Sequence, residues 1–130
     1  MQRVSEAGRE YDEASPGVAL ADLAAGENSG MKHWRIDPGA TLPVHRHDNE
    51  QIGFLISGEL TAILEDEEVT LRPGDSYAFE SGELHGAENR GEEPAVGIGV
   101  LSPPRSSPDW ARSTATGDDA GTARSVGEGD

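Results

Sequence analysis

The sequence predicts an all-β domain, and three observations carry that prediction. Between about Gly17 and Arg105, short apolar runs recur roughly every ten residues with turn residues between them, the spacing of a sandwich or barrel. No stretch in that region repeats its apolar residues over the length of an ordinary helix. Gly58 and the pair Pro73-Gly74 stand where a hairpin and a type II turn need them.

Taken in order, residues 1–16 are polar with little periodic signal and read as an N-terminal extension. Val18 to Ala25 is the one stretch that would suit a short helix. Met31 to Asp37 alternates, so Trp34 and Arg35 point to opposite faces, and whichever turns inward shapes the interior. Gln51 to Ser57 and Glu59 to Glu65 flank Gly58 as a hairpin, and Glu65-Asp66-Glu67-Glu68 makes a solvated turn. Val69 to Arg72 leads into Pro73-Gly74, after which Ser76 to Phe79, Leu84 to Ala87 and Ala95 to Leu101 supply further strands. From Ser106 to Asp130 the chain is mainly Ser, Thr, Gly, Ala and Asp, too poor in apolar groups to offset the entropy of ordering. It reads as a disordered acidic tail in which Trp110 docks its ring on the domain. The single domain therefore spans 17–105, and 130 residues leave no room for a second.

With 25 acidic against 10 basic side chains, the net charge of −15 repels phosphate backbones and anionic membrane surfaces, so nucleic acid and membranes are set aside as partners. There is no cysteine, which excludes disulfides, thiolate zinc sites, iron–sulfur clusters and a thiol nucleophile. Any metal must be held by His, carboxylate or amide groups. Met1 to Glu13 lacks the apolar segment of a signal peptide, and the expected location is cytoplasmic. Strand phase bears on association. If Gln51 faces the interior, so do Gly53 and Leu55, while Ile52, Phe54 and Ile56 face outward and need a cover. A second copy, making a homodimer through this sheet, is one cover; the N-terminal segment is the other.

The chemistry concentrates around four histidines. His45 and His47 are two apart, so on an extended strand both imidazoles face one point. Asp48-Asn49 signals a turn, after which Glu50 and Gln51 offer a carboxylate and an amide within reach of that point. His85 starts a later strand that a closed barrel can place alongside. Three imidazoles and an oxygen donor at an interior site suit a first-row transition metal. His33 fits no such spacing.

Glycines complete the pattern. The motifs G-x5-H-x-H-x3-E-x6-G and G-x5-P-x-G-x2-H-x3-N are matched at eight of ten positions, by Gly39, His45, His47 and Gly58, then Gly74, Gly82, His85 and Asn89. Gln51 stands for the glutamate and Glu80 for the proline. The chain thus resembles the cupin superfamily, and the resemblance implies a double-stranded β-helix, or jelly-roll barrel, with a metal inside. His45-Arg46-His47-Asp48-Asn49-Glu50-Gln51 is similar to the cupin variant H-x-H-x-x-E-Q, in which the amide oxygen replaces the carboxylate. The implied ligands are then His45, His47, Gln51 and His85. An amide leaves the ion its full charge, which favours Lewis-acid over redox chemistry, and Ni, Zn, Mn and Fe all suit the donor set.

By the same pattern the chain resembles small single-domain cupins of pectin and alginate breakdown, which open unsaturated uronic acids. Those share the His-His-Gln-His set and end in D-x-F-S-P-P-R; here Ser102-Pro103-Pro104-Arg105 reproduces the end, so Arg105 is a candidate partner for a substrate carboxylate. Gly99 occupies the position of that family's catalytic aspartate, and Leu101 that of its phenylalanine. The acid–base role then falls to Glu50, Tyr77 or Glu80, although Glu50 also suits a turn hydrogen bond, Tyr77 packing and Glu80 an exposed loop. The expectation is a metal-binding cupin acting on a small anionic molecule, a sugar acid or oxo acid, by isomerase or lyase chemistry. Its alternatives are a non-catalytic ligand-binding or sensory cupin and an iron- or nickel-dependent dioxygenase.

Lysine occurs only at Lys32 and small residues abound, a halophilic bias suited to concentrated salt. Repulsion among net negative charges is screened within roughly 3 Å at 1 M ionic strength. The melting temperature should therefore climb as KCl is raised; a fall across a KCl series measured by circular dichroism would remove the salt-adapted reading.

Overall fold

The computed structural model describes residues 1–104 and builds them as ten strands without a helix among them. The strands are β1 (Asp12–Ser15), β2 (Val18–Ala25), β3 (Gly30–Ile36), β4 (Thr41–His45), β5 (Glu50–Ser57), β6 (Leu60–Leu64), β7 (Glu68–Leu71), β8 (Ser76–Phe79), β9 (His85–Glu88) and β10 (Ala95–Ser102). They form a six-stranded sheet, β1-β2-β3-β10-β5-β8, and a four-stranded sheet, β4-β9-β6-β7, with every pairing antiparallel. This is the expected all-β jelly roll.

Alternation along the strands sets the core. Val18, Trp34, Ile36, Leu55 and Ala95 on the larger sheet pack against Leu60, Ala62, Leu71 and Ala87 on the smaller one. At roughly 25 cal/mol per Å² of apolar surface removed from water, this layer is the main stabilising term of the domain. The turns follow the sequence signals. Arg72-Pro73-Gly74-Asp75 closes with the Asp75 amide donating to the Arg72 carbonyl at 2.9 Å, and Gly74 takes φ +94°, the left-handed value a type II turn demands at that place. Gly58 sits at φ +81°, where a Cβ would lie 2.3 Å from the Pro94 carbonyl oxygen, so both conformation and space require glycine. Asn89 is fully buried and ties three backbone groups: it donates to the Ile36 and Glu93 carbonyls and accepts from the Gly91 amide.

Two expectations are corrected. Val18–Ala25 is a strand and not a helix, because eight residues cannot sustain an isolated helix, whereas pairing with β3 satisfies the backbone and buries Val18 and Ala21. The N-terminal segment, which contains β1, lengthens the sheet at its edge beyond β3 and does not overlie β5. Ile52, Phe54 and Ile56 consequently stay 49%, 42% and 47% exposed, on the face that the phase of Gln51 predicts. The tail 106–130, with Trp110 and its docking, and Arg105 lie outside the described residues.

Candidate metal centre

The pairing of β4 with β9 places His45 directly opposite His85. His47 lies two residues beyond the end of β4, after a register irregularity between Leu42 and His45, so the two neighbouring histidines do not share one regular strand. Loop clasps bring His47 back. The Gly82 amide donates to the His47 carbonyl at 2.8 Å, the Ser81 hydroxyl to the Asp48 carbonyl at 2.7 Å, and the buried Asn49 side chain to the Pro103 carbonyl. The β4–β5 loop is thereby fastened to the β8–β9 turn and to the end of β10.

One ring nitrogen from each of His45, His47 and His85 lies within 4.8 Å of the others. The ring centroids are 5.3 Å (His45–His47), 4.5 Å (His45–His85) and 5.0 Å (His47–His85) apart. Each Nδ1 faces a backbone carbonyl: His45 that of Pro43 at 2.8 Å, His47 that of Asn49 at 3.0 Å, and His85 that of Glu83 at 2.9 Å. A carbonyl only accepts, so each Nδ1 carries the proton and Nε2 is the nitrogen with a lone pair to offer. Burial presses the His85 pKa down to about 4, against the opposing pull of the Glu83 carbonyl and with help from His47, so that ring is neutral at physiological pH. Its buried Nε2 has no hydrogen-bond partner. Leaving such an atom orphaned costs about 1–3 kcal/mol, a cost that a metal ion would remove, and this donor set fits one.

Gln51 stands on β5 with its side chain turned inward, opposite Phe79 in the β5–β8 register. Its amide hydrogen-bonds the Tyr77 hydroxyl, and burial holds the Tyr77 phenol up at about 12, with the Trp34 and Gln51 contacts pulling weakly the other way. A phenol so reluctant to ionise is ill-matched to act as a base near neutral pH; it acts as a fixed strut beside Gln51. Glu50 is exposed and, one residue before Gln51, faces the opposite side of β5, so it does not join the histidines as its sequence position suggested. Glu80 is exposed in the β8–β9 turn, where its amide donates to the Glu83 carboxylate. Trp34 faces inward and Arg35 outward, where Arg35 pairs with Asp37 at 3.1 Å. His33 is also outside the cluster, its Nδ1 against the Tyr11 hydroxyl at 2.5 Å.

The site borders a cavity of about 90 Å³, a volume for a small molecule. Two of its residues were not among the site candidates read from the sequence. Phe79 stacks on His85 with centroids 4.2 Å apart and planes 8° from parallel, fixing the ring; its register opposite Gln51 is the signal that would have found it. Lys32 shares the inward phase of Trp34 and lines the cavity.

Comparison with known proteins fits this geometry. A family profile described as the cupin domain matches residues 32–101. The chain is 37% identical over 67 residues to the H2HPP isomerase of Bacillus subtilis, covering 52% of this chain but only 28% of that protein. It is 35% identical over 96 residues to the pectin degradation protein KdgF of Dickeya dadantii (strain 3937), covering 73% of this chain and 86% of that one. The solved structure of KdgF from Halomonas sp. superimposes with a TM-score of 0.76 at 25% identity, over 82% of this chain and 96% of that one.

The two tyrosines offer a check on these environments. Tyr11, like Tyr77, is held up at about 12, by burial first and then by its hydrogen bond to Glu6. Unfolded phenols ionise near pH 10, so the folded chain binds these protons more tightly and their contribution to stability is intact below about pH 10. It is lost as the pH climbs from about 10 to about 12. Phenolate absorbance at 295 nm should stay near baseline at pH 10 in the folded chain and rise on adding denaturant; half-ionisation at pH 10 without denaturant would contradict both environments.

Proposed function

The chain belongs to the cupin family, and from that premise we propose that His45, His47, His85 and Gln51 hold a divalent transition metal used on a small anionic molecule. The carrying observation is the convergence of three histidines whose Nδ1 atoms are all spent on backbone carbonyls. Ni, Zn, Mn and Fe each suit three imidazoles with an amide oxygen. The ion would supply Lewis acidity, polarising a carbonyl, hydroxyl or carboxylate of a sugar acid or oxo acid for isomerase- or lyase-type chemistry. The protein's own residues do the rest. Phe79 and the carbonyls fix the rings, Tyr77 braces the Gln51 amide, and Trp34 and Leu101 wall the cavity against water. The sugar-acid and isomerase reading draws on what the names of the pectin degradation protein and the H2HPP isomerase say of those relatives.

One observation favours a second reading, a ligand-binding cupin without turnover. No Asp or Glu lines the cavity among the described residues, Gly99 brings none, and Tyr77 holds its proton to high pH. Assaying metal-loaded protein on unsaturated uronates and 2-oxo acids separates the two, since turnover of either class supports the enzyme.

His47→Ala should strip the metal from protein purified without a histidine tag, as read by elemental analysis. Gln51→Glu should tighten divalent binding by adding a negative charge against the ion. A His47→Ala variant as metal-rich as the parent, or unchanged affinity in Gln51→Glu, would contradict the ligand set.

The same reading includes a homodimer through the outer face of β5, supported by the exposed triplet Ile52, Phe54 and Ile56. Light scattering at micromolar concentration should give twice the chain mass, and Phe54→Glu should halve it. A parent that scatters as a single chain would exclude the dimer.

A further inference from the structure

We infer that Lys32 is the anion anchor of the cavity, its ammonium receiving the carboxylate of a small ligand lodged over Gly99. This deepens the function proposed above and rests on it for the cavity's purpose, though the anchor itself is testable without metal.

Lys32 is the only lysine in a chain of net charge −15, and its side chain is just 11% exposed. A surface that needs cations has nine arginines for the purpose; the one lysine is inside. Strand alternation turns it inward with Trp34, onto the wall of the cavity. That wall is unlike the rest of the protein. Of 25 acidic residues in the chain, none lines the cavity among the described residues, and Lys32 is the one Lys or Arg that does. In a weakly polar interior a fixed positive charge next to a cation-binding cluster attracts an anion far more strongly than it would in water.

The space for that anion is specific. Lys32 lies opposite Gly99 in the β3–β10 register. The inward glycines nearby are already filled by aromatic rings: a Cβ at Gly97 would sit 2.2 Å from Trp34, and one at Gly53 would sit 2.2 Å from Tyr77. Over Gly99 the nearest atoms to a Cβ, among them the Gln51 amide nitrogen and Trp34 Cδ1, are 3.8 Å away. Gly99 itself lines the cavity and a Cβ there would make only ordinary contacts, so the stretch of wall between the lysine strand and Gln51, the amide proposed to complete the metal site, is not filled by a ring. Asp22, Lys32's neighbour across β2–β3, already forms an ion pair with it. The Asp22 side chain is 57% exposed, so it can hold the ammonium from the solvent side and yield or share it when a second carboxylate enters. Lysine, a compact charge on a flexible stem, suits such an exchange better than the rigid fork of arginine.

Pyruvate and its neutral isostere pyruvamide, titrated calorimetrically into the full chain with and without bound nickel, test the anchor. Pyruvate should bind the parent at least tenfold more tightly than pyruvamide in both states. Lys32→Met should weaken pyruvate roughly tenfold to a hundredfold, with pyruvamide and metal content unchanged. Asp22→Asn, an exposed and mild change, should tighten pyruvate several-fold by removing the competing carboxylate, an effect no purely structural lysine would give. Gly99→Asp should expel pyruvate by supplying an internal carboxylate. Parental pyruvate affinity in Lys32→Met overturns the anchor and leaves the metal site standing, as does a parent that does not distinguish pyruvate from pyruvamide. Should Lys32→Met not fold, unchanged or weaker binding in Asp22→Asn overturns it instead. A parent that takes up no nickel yet prefers pyruvate in a Lys32-dependent way sinks the proposed metal site and keeps the anchor.

Discussion

The site depends on one constraint: three imidazole rings must be held against one another inside a β-barrel with their lone pairs inward. Crowding rings into a dry space is unfavourable unless each polar atom has a partner, and the backbone supplies one for every Nδ1. The carbonyls of Pro43, Asn49 and Glu83 each belong to a residue two positions from the histidine they hold, so short-range geometry sets the tautomers. Long-range structure then sets the convergence. His45 and His85 meet through strand register, while His47 is brought in by loop-to-loop bonds through Gly82, Ser81 and Asn49. The jelly roll matters to the chemistry because its two sheets bring a β4–β5 loop and a β8–β9 turn, over thirty residues apart in the chain, to the same mouth.

Much of this was legible in the sequence because β-structure writes itself in period two. The outward face of Ile52, Phe54 and Ile56 and the inward face of Leu55 followed from that period once Gln51 was given a side, and Gly58 and Gly74 marked turns that only left-handed backbone can make. Where the structure departs from the sequence pattern, the deciding contact is remote. Val18–Ala25 carries an alanine-rich composition with no intrinsic strand preference, and only the presence of β3 alongside makes it a strand. Glu50 lost its place to the same alternation that gave Gln51 its own, because the turn at Asp48-Asn49 does not by itself announce which of two adjacent residues will enter the barrel. The site roles of Lys32 and Phe79 were not legible for a related reason: they come from what lies across the strand pair, opposite Gly99 and Gln51, and pair register is not local information.

Charge is distributed by the same logic. Acidic residues crowd the exterior, where water screens them, and the described wall of the cavity has none. Such segregation follows from the cost of burying carboxylates without partners, but that cost applies equally to lysine, which makes the inward Lys32 informative. Its pair with Asp22 offsets part of the penalty, and the Asp22 side chain is itself 57% exposed.

The neutral amide at Gln51 pushes in the same direction. A glutamate in that position would set a fixed negative charge against the proposed ion; glutamine sets none, and no Asp or Glu lines the cavity among the described residues. The proposed ion, beside a lysine whose ammonium Asp22 already pairs, would then add positive charge to an interior site, which water alone stabilises poorly in so small a volume. A ligand that carries its own carboxylate completes the balance, and a neutral one does not. Selectivity for an anion would thus arise less from shape than from electrostatics, through the pairing of an amide ligand with a buried lysine on opposite sides of Gly99.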